Sequence, residues 1–254
     1  PSDGIIVACI DTETLPKLLA RSKKKFTSYG KNEKADYRYE NIKQTPEGLG
    51  FDIVNGKNTY HVKSPLLGVY NVENITGCFA MAHKAGIAAE KILGGIASFS
   101  GLKRRMEKRL EGDVTVIDDL AHSAEKAKSV LENIRSIYTG LVTAVYEPNI
   151  GNRTPQSKPS YKDAFINADT VVIPRLSKLK VDPVKPEKAF DGDELAATIG
   201  ESHKDVHYID VDEDLVRFLA LGRVKGDVIV FLGSHGFRGM IDQTVKALEG
   251  SKGK

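Results

Sequence analysis

Short apolar runs alternate regularly with helix-period segments through the second half of the chain. The runs are rich in β-branched residues, and each is followed by apolar residues at helical spacing. Strands that are covered by helices on both faces have nearly continuous apolar sequences. The alternation therefore predicts a doubly wound, mostly parallel α/β sheet of Rossmann-like type. The predicted strands cover residues 114–117, 141–146, 170–173, 206–209 and 227–232, and the predicted helices cover 123–135, 161–166, 194–201, 213–221 and 240–248.

The first half of the chain has a different pattern. Apolar runs at residues 4–10 and 26–29 flank a predicted helix at 14–24. Alternation with period two then predicts three antiparallel strands, and Asn55-Gly56 between the last two is a strong hairpin signal. Two further helices are predicted, one from about Tyr70 and one at 88–97. We therefore predict a small antiparallel patch joined to a parallel α/β layer, with a domain boundary between residues 98 and 99.

Composition excludes several classes of protein. A chain of 254 residues with 41% hydrophobic and 28% charged residues is typical of a globular protein of two domains. Its net charge of +3 is too small to indicate a nucleic-acid partner. Cys9 and Cys78 lie in apolar segments, which predicts buried, reduced thiols in a cytoplasmic protein. Neither a membrane-length apolar run nor a secretory pattern is present, so we expect no membrane partner.

Polar side chains stand where predicted elements begin or end. Asp118, Asp119 and His122 follow the strand at 114–117, at the edge of a parallel sheet where ligands collect. Asp119 and Ser123 could also simply cap the next helix, as Asp and Ser often do. Asn71 and Asn74, three residues apart, share a face of a predicted helix and could read a base edge. An ordinary asparagine cap remains the alternative there.

Four segments together resemble the C-terminal portion of the Mur ligases, which use ATP to join amino acids or peptides to UDP-N-acetylmuramic acid precursors of peptidoglycan. Residues 68–74, Gly-Val-Tyr-Asn-Val-Glu-Asn, are similar to the Gly-x-x-Asn-x-x-Asn motif that ends the ATP-binding domain of that family. The resemblance implies that Asn71 and Asn74 approach the adenine. Residues 99–107 are similar to the hinge motif, which implies that Arg105 reaches the nucleotide.

Two further segments complete the resemblance. Residues 118–122 are similar to Asp-Asp-Tyr-Ala-His, which implies that Asp119 and His122 serve the ribose and domain closure. The segment 147–154 resembles a Pro-x-x-x-x-Arg-Thr loop of the UDP-N-acetylmuramate–L-alanine ligase branch, and 233–239 resembles the end of the murein tripeptide ligase branch.

These loops imply a site for the incoming amino acid or peptide. Arg153 becomes a candidate for binding its carboxylate, since a guanidinium fork suits a carboxylate, and Ser234 and His235 could line the same site. A solvated loop arginine is the open alternative for Arg153. The sequence departs from the family pattern at Leu120, where an aromatic residue is usual, and at Ala124, where proline is usual.

The phosphate-binding loop of the family is missing from the sequence. No Gly-x-x-x-x-Gly-Lys-Ser/Thr occurs, and that loop holds the β- and γ-phosphates and Mg²⁺. We therefore expect residues 1–98 to be the distal part of the ATP-binding domain and 99–254 to be the C-terminal ligase domain. ATP and Mg²⁺ are the expected cofactors, with the magnesium ligands outside this chain. An N-terminal half bearing the P-loop, on the same or another chain, is the expected partner, with the UDP-sugar precursor and the amino acid or peptide as substrates.

Two alternatives remain open from the sequence. One is a degenerate, non-catalytic module that binds a nucleotide or a partner on the same fold. The other is a nicotinamide-dependent dehydrogenase, a poorer interpretation because no Gly-x-Gly-x-x-Gly opens a helix after a strand.

Overall fold

The computed structural model describes residues 4–21, 25–177 and 189–250. The chain divides into two compact units after Gly101, and each unit has its own sheet. None of the helices in the described ranges is long and apolar enough to cross a membrane. Residues 22–24 of the first predicted helix, and most of the predicted long connection at 178–193, lie outside the described residues.

The first unit contains a mixed five-stranded sheet in the order β1-β2-β3-β4-β5. β1 to β3 are parallel, whereas β3, β4 and β5 are antiparallel, which confirms the predicted patch on a parallel layer. Gly56 has a φ of +61° in the turn between β4 and β5, as a tight hairpin requires. The strands are β1 (Val7–Cys9), β2 (Thr27–Gly30), β3 (Tyr37–Thr45), β4 (Gly48–Asn55) and β5 (Asn58–Ser64).

Three helices accompany this sheet: α1 (Thr14–Leu19), α2 (Tyr70–Lys84) and α3 (Ala89–Ser98). Val72, Ile75 and Phe79 on one face of α2 belong to the same buried core as the strand residues Phe51 and Ile53. α2 is thereby fixed on the sheet, and its first turn has a defined position. α1 ends at Leu19, earlier than predicted, and buries none of its residues.

The second unit contains a six-stranded sheet in the order β10-β9-β8-β11-β7-β6. Every neighbouring pair is parallel except β6 and β7, which confirms the Rossmann-like, mostly parallel sheet. All residues of β7, β8 and β11 are buried, which explains their β-branched composition. The strands are β6 (Glu107–Leu110), β7 (Thr115–Asp119), β8 (Val142–Glu147), β9 (Thr170–Pro174), β10 (Val206–Ile209) and β11 (Val228–Gly233).

Helices α4 (Ala124–Ile137), α5 (Gly192–Gly200), α6 (Asp212–Ala220) and α7 (Met240–Gly250) complete the unit. Leu215 of α6 and Met240 of α7 share a core with Ile229 and Phe231 of β11. α4 begins after Ser123, whose hydroxyl accepts a hydrogen bond from the backbone N–H of Lys126 at 3.4 Å. The predicted cap by Ser123 is therefore confirmed.

Two expectations were wrong. The predicted helix at 161–166 is absent: Pro155–Tyr161 forms a 3₁₀ helix and the following residues form turns. Asp163, in the middle of the predicted span, has a φ of +55°, a left-handed backbone conformation that a right-handed α-helix cannot contain. The two cysteines are free, as expected, but they are not both buried, since Cys78 is exposed and Cys9 is half-buried.

The buried face of α4 gives a direct test of the second core. We expect Leu131→Ala to lower the free energy of unfolding by about 2–5 kcal/mol, because Leu131 is fully buried and alanine leaves a cavity without disturbing the helix. Urea denaturation followed by circular dichroism measures the change. Glu132→Ala, at the exposed next position of the same helix, should change the free energy of unfolding by less than about 0.5 kcal/mol. Equal effects of the two substitutions would contradict this packing of α4.

Candidate functional site

The first turn of α2 presents two amide side chains in the first unit. Asn71 Nδ2 donates to the carbonyl of Leu67 at 2.8 Å, and Asn71 Oδ1 accepts from Asn74 Nδ2 at 3.2 Å. Val69 occupies the N-cap position, so the alternative that an asparagine caps this helix is wrong. Asn74 is exposed and keeps its carbonyl oxygen and one N–H for a ligand.

Entry of the chain into α2 requires a glycine. Gly68 has a φ of +92°, and a Cβ atom there would lie 2.5 Å from the ring of Tyr70. Its backbone N–H donates to Gln44 Oε1 at 2.8 Å, which fixes the turn on β3. Local backbone geometry therefore determines where the two amides point.

In the second unit, Arg104 joins the segment before β6 to the loop after β11. Its Nε lies 3.2 and 3.3 Å from the two carboxylate oxygens of the buried Asp118. Its Nη1 donates to the carbonyl of Ser234 at 3.0 Å, and its Nη2 donates to those of Gly233 and His235 at 2.6 Å each. The sequence analysis singled out the neighbouring Arg105 and missed this residue. The sequence did offer a signal for Arg104, because it is a second arginine next to Arg105 and Asp118 is a second aspartate next to Asp119.

Asp119, at the end of β7, is fixed by backbone donors. Its Oδ2 accepts from the N–H of Met106 and its Oδ1 from the N–H of Ala121, both at 2.8 Å. The carboxylate therefore orders the turn before α4, and the alternative that Asp119 caps that helix is wrong, since Ser123 is the cap. Burial raises the pKa of Asp119, while these two N–H groups and the charges of Arg105 and Arg104 oppose the rise.

Arg105 and His122 lie near the same strand end. Arg105 is exposed, and its charge acts on the Asp119 carboxylate. His122 Nδ1 is 2.7 Å from the carbonyl of Leu120, so Nδ1 is the nitrogen that donates to this carbonyl. The second unit thus brings three of the predicted nucleotide-binding residues to the carboxyl end of β7 and the turn beside it.

The carboxyl ends of β8 and β11 carry a second group of polar residues. Arg153 is only 6% exposed, so the alternative of a solvated loop arginine is wrong. Its Nη1 donates to the carbonyl of Ser177 at 3.0 Å, and its Nε has no hydrogen-bond partner. Burial lowers the pKa of Arg153, and the negative charge of Glu147 opposes that effect. Ser234 has a buried hydroxyl without a partner, whereas His235 is exposed.

Glu147 belongs to this group, although the sequence analysis did not single it out. It ends β8 directly beside Gly233 of β11 and is fully buried. Its Oε1 accepts from both the backbone N–H and the hydroxyl of Ser177, at 2.9 and 2.6 Å. A carboxylate closing an otherwise apolar strand was the sequence signal for it.

One cluster of potential metal ligands lies in the described residues. It comprises Cys9, Asp11 and Glu73, and a thiol is unsuited to Mg²⁺. Both oxygens of Asp11 also accept hydrogen bonds, from the N–H groups of Lys31 and Asn32 and from the hydroxyl of Tyr39. The amide of Asn74, in contrast, suits the donor and acceptor edge of an adenine.

Comparison with known proteins identifies the family. The model of the Mur ligase middle domain matches residues 1–82, and that of the Mur ligase glutamate ligase domain matches residues 104–235. The second match alone covers more than half of the chain. The chain belongs to the Mur ligase family. The resemblance carried by the four sequence segments is thereby confirmed.

Relatives in this family are similar over nearly the whole chain. A UDP-N-acetylmuramate–L-alanine ligase of Agrobacterium fabrum is 30% identical over 98% of this chain, and one of Bartonella bacilliformis is 31% identical over 98%. In each case the chain spans 53% of the relative, about half its length.

Solved structures show the same fold. The UDP-N-acetylmuramate–alanine ligase of Thermotoga maritima has a TM-score of 0.74 at 18% identity, covering 97% of this chain and 52% of that one. The MurF ligase of Thermotoga maritima, solved in complex with ADP, has a TM-score of 0.70 at 19% identity, covering 98% and 54%.

The Arg104 contacts can be tested by hydrogen exchange. We expect Arg104→Lys to speed exchange of the backbone amides at 234–239 by about tenfold or more, because an ammonium cannot reproduce the fork that holds three carbonyls. Arg217→Lys, at an exposed arginine of α6, is the matched control and should leave these rates unchanged. Unchanged exchange in Arg104→Lys would rule out this role.

The raised pKa of Asp119 predicts a pH dependence with a definite sign. The native state favours the protonated carboxyl more than the unfolded chain does, so stability should fall as pH rises from the ordinary aspartate range through the higher native pKa. We expect Asp119→Asn to flatten this fall, while Asp118, whose pKa is also raised by burial, keeps its own contribution. Urea unfolding at a series of acidic pH values measures the slope. An identical slope in Asp119→Asn and in the exposed control Asp214→Asn would contradict the argument.

Proposed function

We propose that this chain is the C-terminal part of an ATP-dependent Mur-type ligase. The carrying observation is that the middle and glutamate ligase domain matches follow each other in one chain that has no P-loop. The reaction would join a carboxylate to an amine by way of an acyl phosphate. In this proposal residues 1–98 are the distal part of the ATP-binding domain, and 99–254 are the ligase domain of a cytoplasmic enzyme.

In this proposal each unit carries residues that bind the nucleotide. Asn71 and Asn74 would bind the adenine through amides fixed on the first turn of α2. Arg105, Asp119 and His122 would serve the remainder of the nucleotide from the end of β7. The electrostatic coupling of Arg105 to Asp119 supports a common role, since the guanidinium can contact an anionic ligand while Asp119 orders the adjacent turns.

The second substrate would bind at the ends of β8 and β11. The buried Arg153, with an unsatisfied Nε, is the proposed partner of a substrate carboxylate, and Ser234 and His235 would line the site. The relatives are UDP-N-acetylmuramate–L-alanine ligases by name, which supports a UDP-N-acetylmuramic acid precursor and an amino acid or peptide as substrates.

A P-loop-bearing half is the proposed partner, on the same or a separate chain. It would supply the lysine and the magnesium ligands, because the sequence has no Gly-x-x-x-x-Gly-Lys-Ser/Thr, the loop that binds the β- and γ-phosphates and Mg²⁺. ATP bound with Mg²⁺ would supply the phosphoryl group that activates the carboxylate.

The exposed edge of the first sheet also favours a chain that pairs with a P-loop-bearing half over a self-contained module. β1 is its edge strand, and Ile5 beside it is 44% exposed, leaving apolar surface for further strands to cover.

The proposal predicts a conditional activity. The isolated chain should release no ADP from ATP, and adding a P-loop-bearing half should give ADP release that depends on UDP-N-acetylmuramate and an amino acid. Coupled detection of ADP measures both conditions. Substrate-dependent ADP release by the isolated chain would overturn the need for the second half. Tight nucleotide binding without any release in the combined system would favour the non-catalytic module.

The adenine contact can be separated from folding. In the combined system we expect Asn74→Ala to raise the KM for ATP about tenfold, because the adenine loses one hydrogen bond to the side-chain amide. Thermal stability should not change. Asn58→Ala, at the β4–β5 turn of the same unit, is the control of matched residue type. An unchanged KM in Asn74→Ala would remove Asn74 from the nucleotide site.

A further inference from the structure

Three polar side-chain atoms at the carboxyl ends of β8 and β11 are buried and have no hydrogen-bond partner within residues 4–21, 25–177 and 189–250. They are Glu147 Oε2, Arg153 Nε and Ser234 Oγ. Burying such an atom removes its hydrogen bonds to water, and no protein group replaces them. The three come from the end of β8, the loop after it and the residue after β11, and Glu147 lies in register with Gly233, which precedes Ser234. A convergence of this kind indicates a site that a ligand completes.

The surroundings of Glu147 keep its second oxygen available. Oε1 is fully used by the N–H and hydroxyl of Ser177. Nη1 of Arg238 lies 3.9 Å from Oε2, which is beyond hydrogen-bond distance. Arg238 cannot easily approach, because its Nε and Nη2 form a bidentate pair with Asp212 at 2.9 Å each. Glu147 Oε2 is therefore a buried anionic acceptor that lies near the charge of Arg238 but accepts no hydrogen bond from it.

Arg153 offers the complementary charge. Its Nη1 is fixed by the carbonyl of Ser177, the same residue that fixes Glu147, and the opposite charges of Arg153 and Glu147 interact. Its backbone carbonyl accepts from the N–H of Phe190 at 2.6 Å, which anchors the loop. Ser177 thus orients an anionic acceptor and a cationic donor on one small site.

The charge pattern selects the ligand. A simple anion would satisfy Arg153 but would face the carboxylate of Glu147, and a simple cation would satisfy Glu147 but would face two guanidinium groups. A zwitterion satisfies all three atoms. We propose that Glu147 binds the ammonium group of an amino acid through Oε2, while Arg153 Nε and Ser234 Oγ bind its carboxylate. This inference rests on the proposed function for the carboxylate contact and adds Glu147 as the residue that selects for the amino group.

Three small probes test the charge requirement on the wild-type chain. L-Alanine carries both charges, propionate only the carboxylate and L-alaninamide only the ammonium. We expect NMR titration to give L-alanine an affinity at least about tenfold higher than either single-charge probe, because each of those probes lacks one charge-assisted hydrogen bond. Propionate binding as tightly as L-alanine, or no binding of L-alanine, would overturn the proposal.

A substitution tests the residue itself. Glu147→Gln keeps an oxygen for Ser177 and replaces the acceptor, so L-alanine should bind about tenfold more weakly or worse, while propionate binds as well or better. Glu111→Gln, at an exposed glutamate of the same unit, is the matched control. A purely structural role of Glu147 would weaken both probes alike and would contradict the proposal. If Glu147→Gln does not fold, the comparison of the three probes on wild type still decides.

A nucleotide titration keeps the two hypotheses separate. ADP binding to the combined system reports on the ligase proposal and does not involve Glu147. Loss of ADP binding would therefore count against the proposed function. Normal ADP binding together with L-alanine affinity unchanged in Glu147→Gln would remove the ammonium contact alone.

Discussion

The second unit depends on one guanidinium group that joins segments from distant parts of the sequence. Arg104 contacts the buried carboxylate of Asp118. It also donates to the three successive carbonyls of residues 233–235, where β11 ends, about 130 residues further along the chain. A planar group with five donors can satisfy these acceptors together, which a lysine cannot. The position of the loop after β11, and with it Ser234, follows from this contact. The backbone supports it with a positive φ at Arg104 and Met106.

Much of the fold could be predicted because its signals are local. β-Branched runs, helical spacing and Asn55-Gly56 act within a few residues, and the sheets follow them. The failures have equally physical causes. The segment at 161–166 has helical spacing, but Asp163 within it has a φ of +55°, and such a left-handed residue interrupts a right-handed helix. Cys78 lies in an apolar stretch, yet it falls on the exposed face of α2, which only the packing of that helix determines.

The site could be predicted in part. Motif resemblance pointed to Asp119 and Arg153, and the structure gives both buried environments at strand ends. Their individual tasks were not visible, since Asp119 is bonded by backbone groups of residues 106 and 121. The sequence did not predict roles for Arg104 and Glu147, because their partners, residues 233–235 and Ser177, are distant in sequence. Side-chain contacts between remote segments carry no periodic signal.

The two ends of the second sheet differ in how completely their polar groups are satisfied. At the amino ends of the strands, Asp227 accepts from the N–H groups of Leu141 and Val224, and Asp169 accepts from the N–H of Val142 and from Arg135. At the carboxyl ends, orphaned atoms remain. Of the four orphaned side-chain atoms in the described residues, three lie at these carboxyl ends and the fourth, Thr244 Oγ1, lies in α7. Local frustration is therefore concentrated where the loops after β8 and β11 meet, and substitutions there could change what the loops recognise while the paired carboxylates at the amino ends keep the sheet foldable.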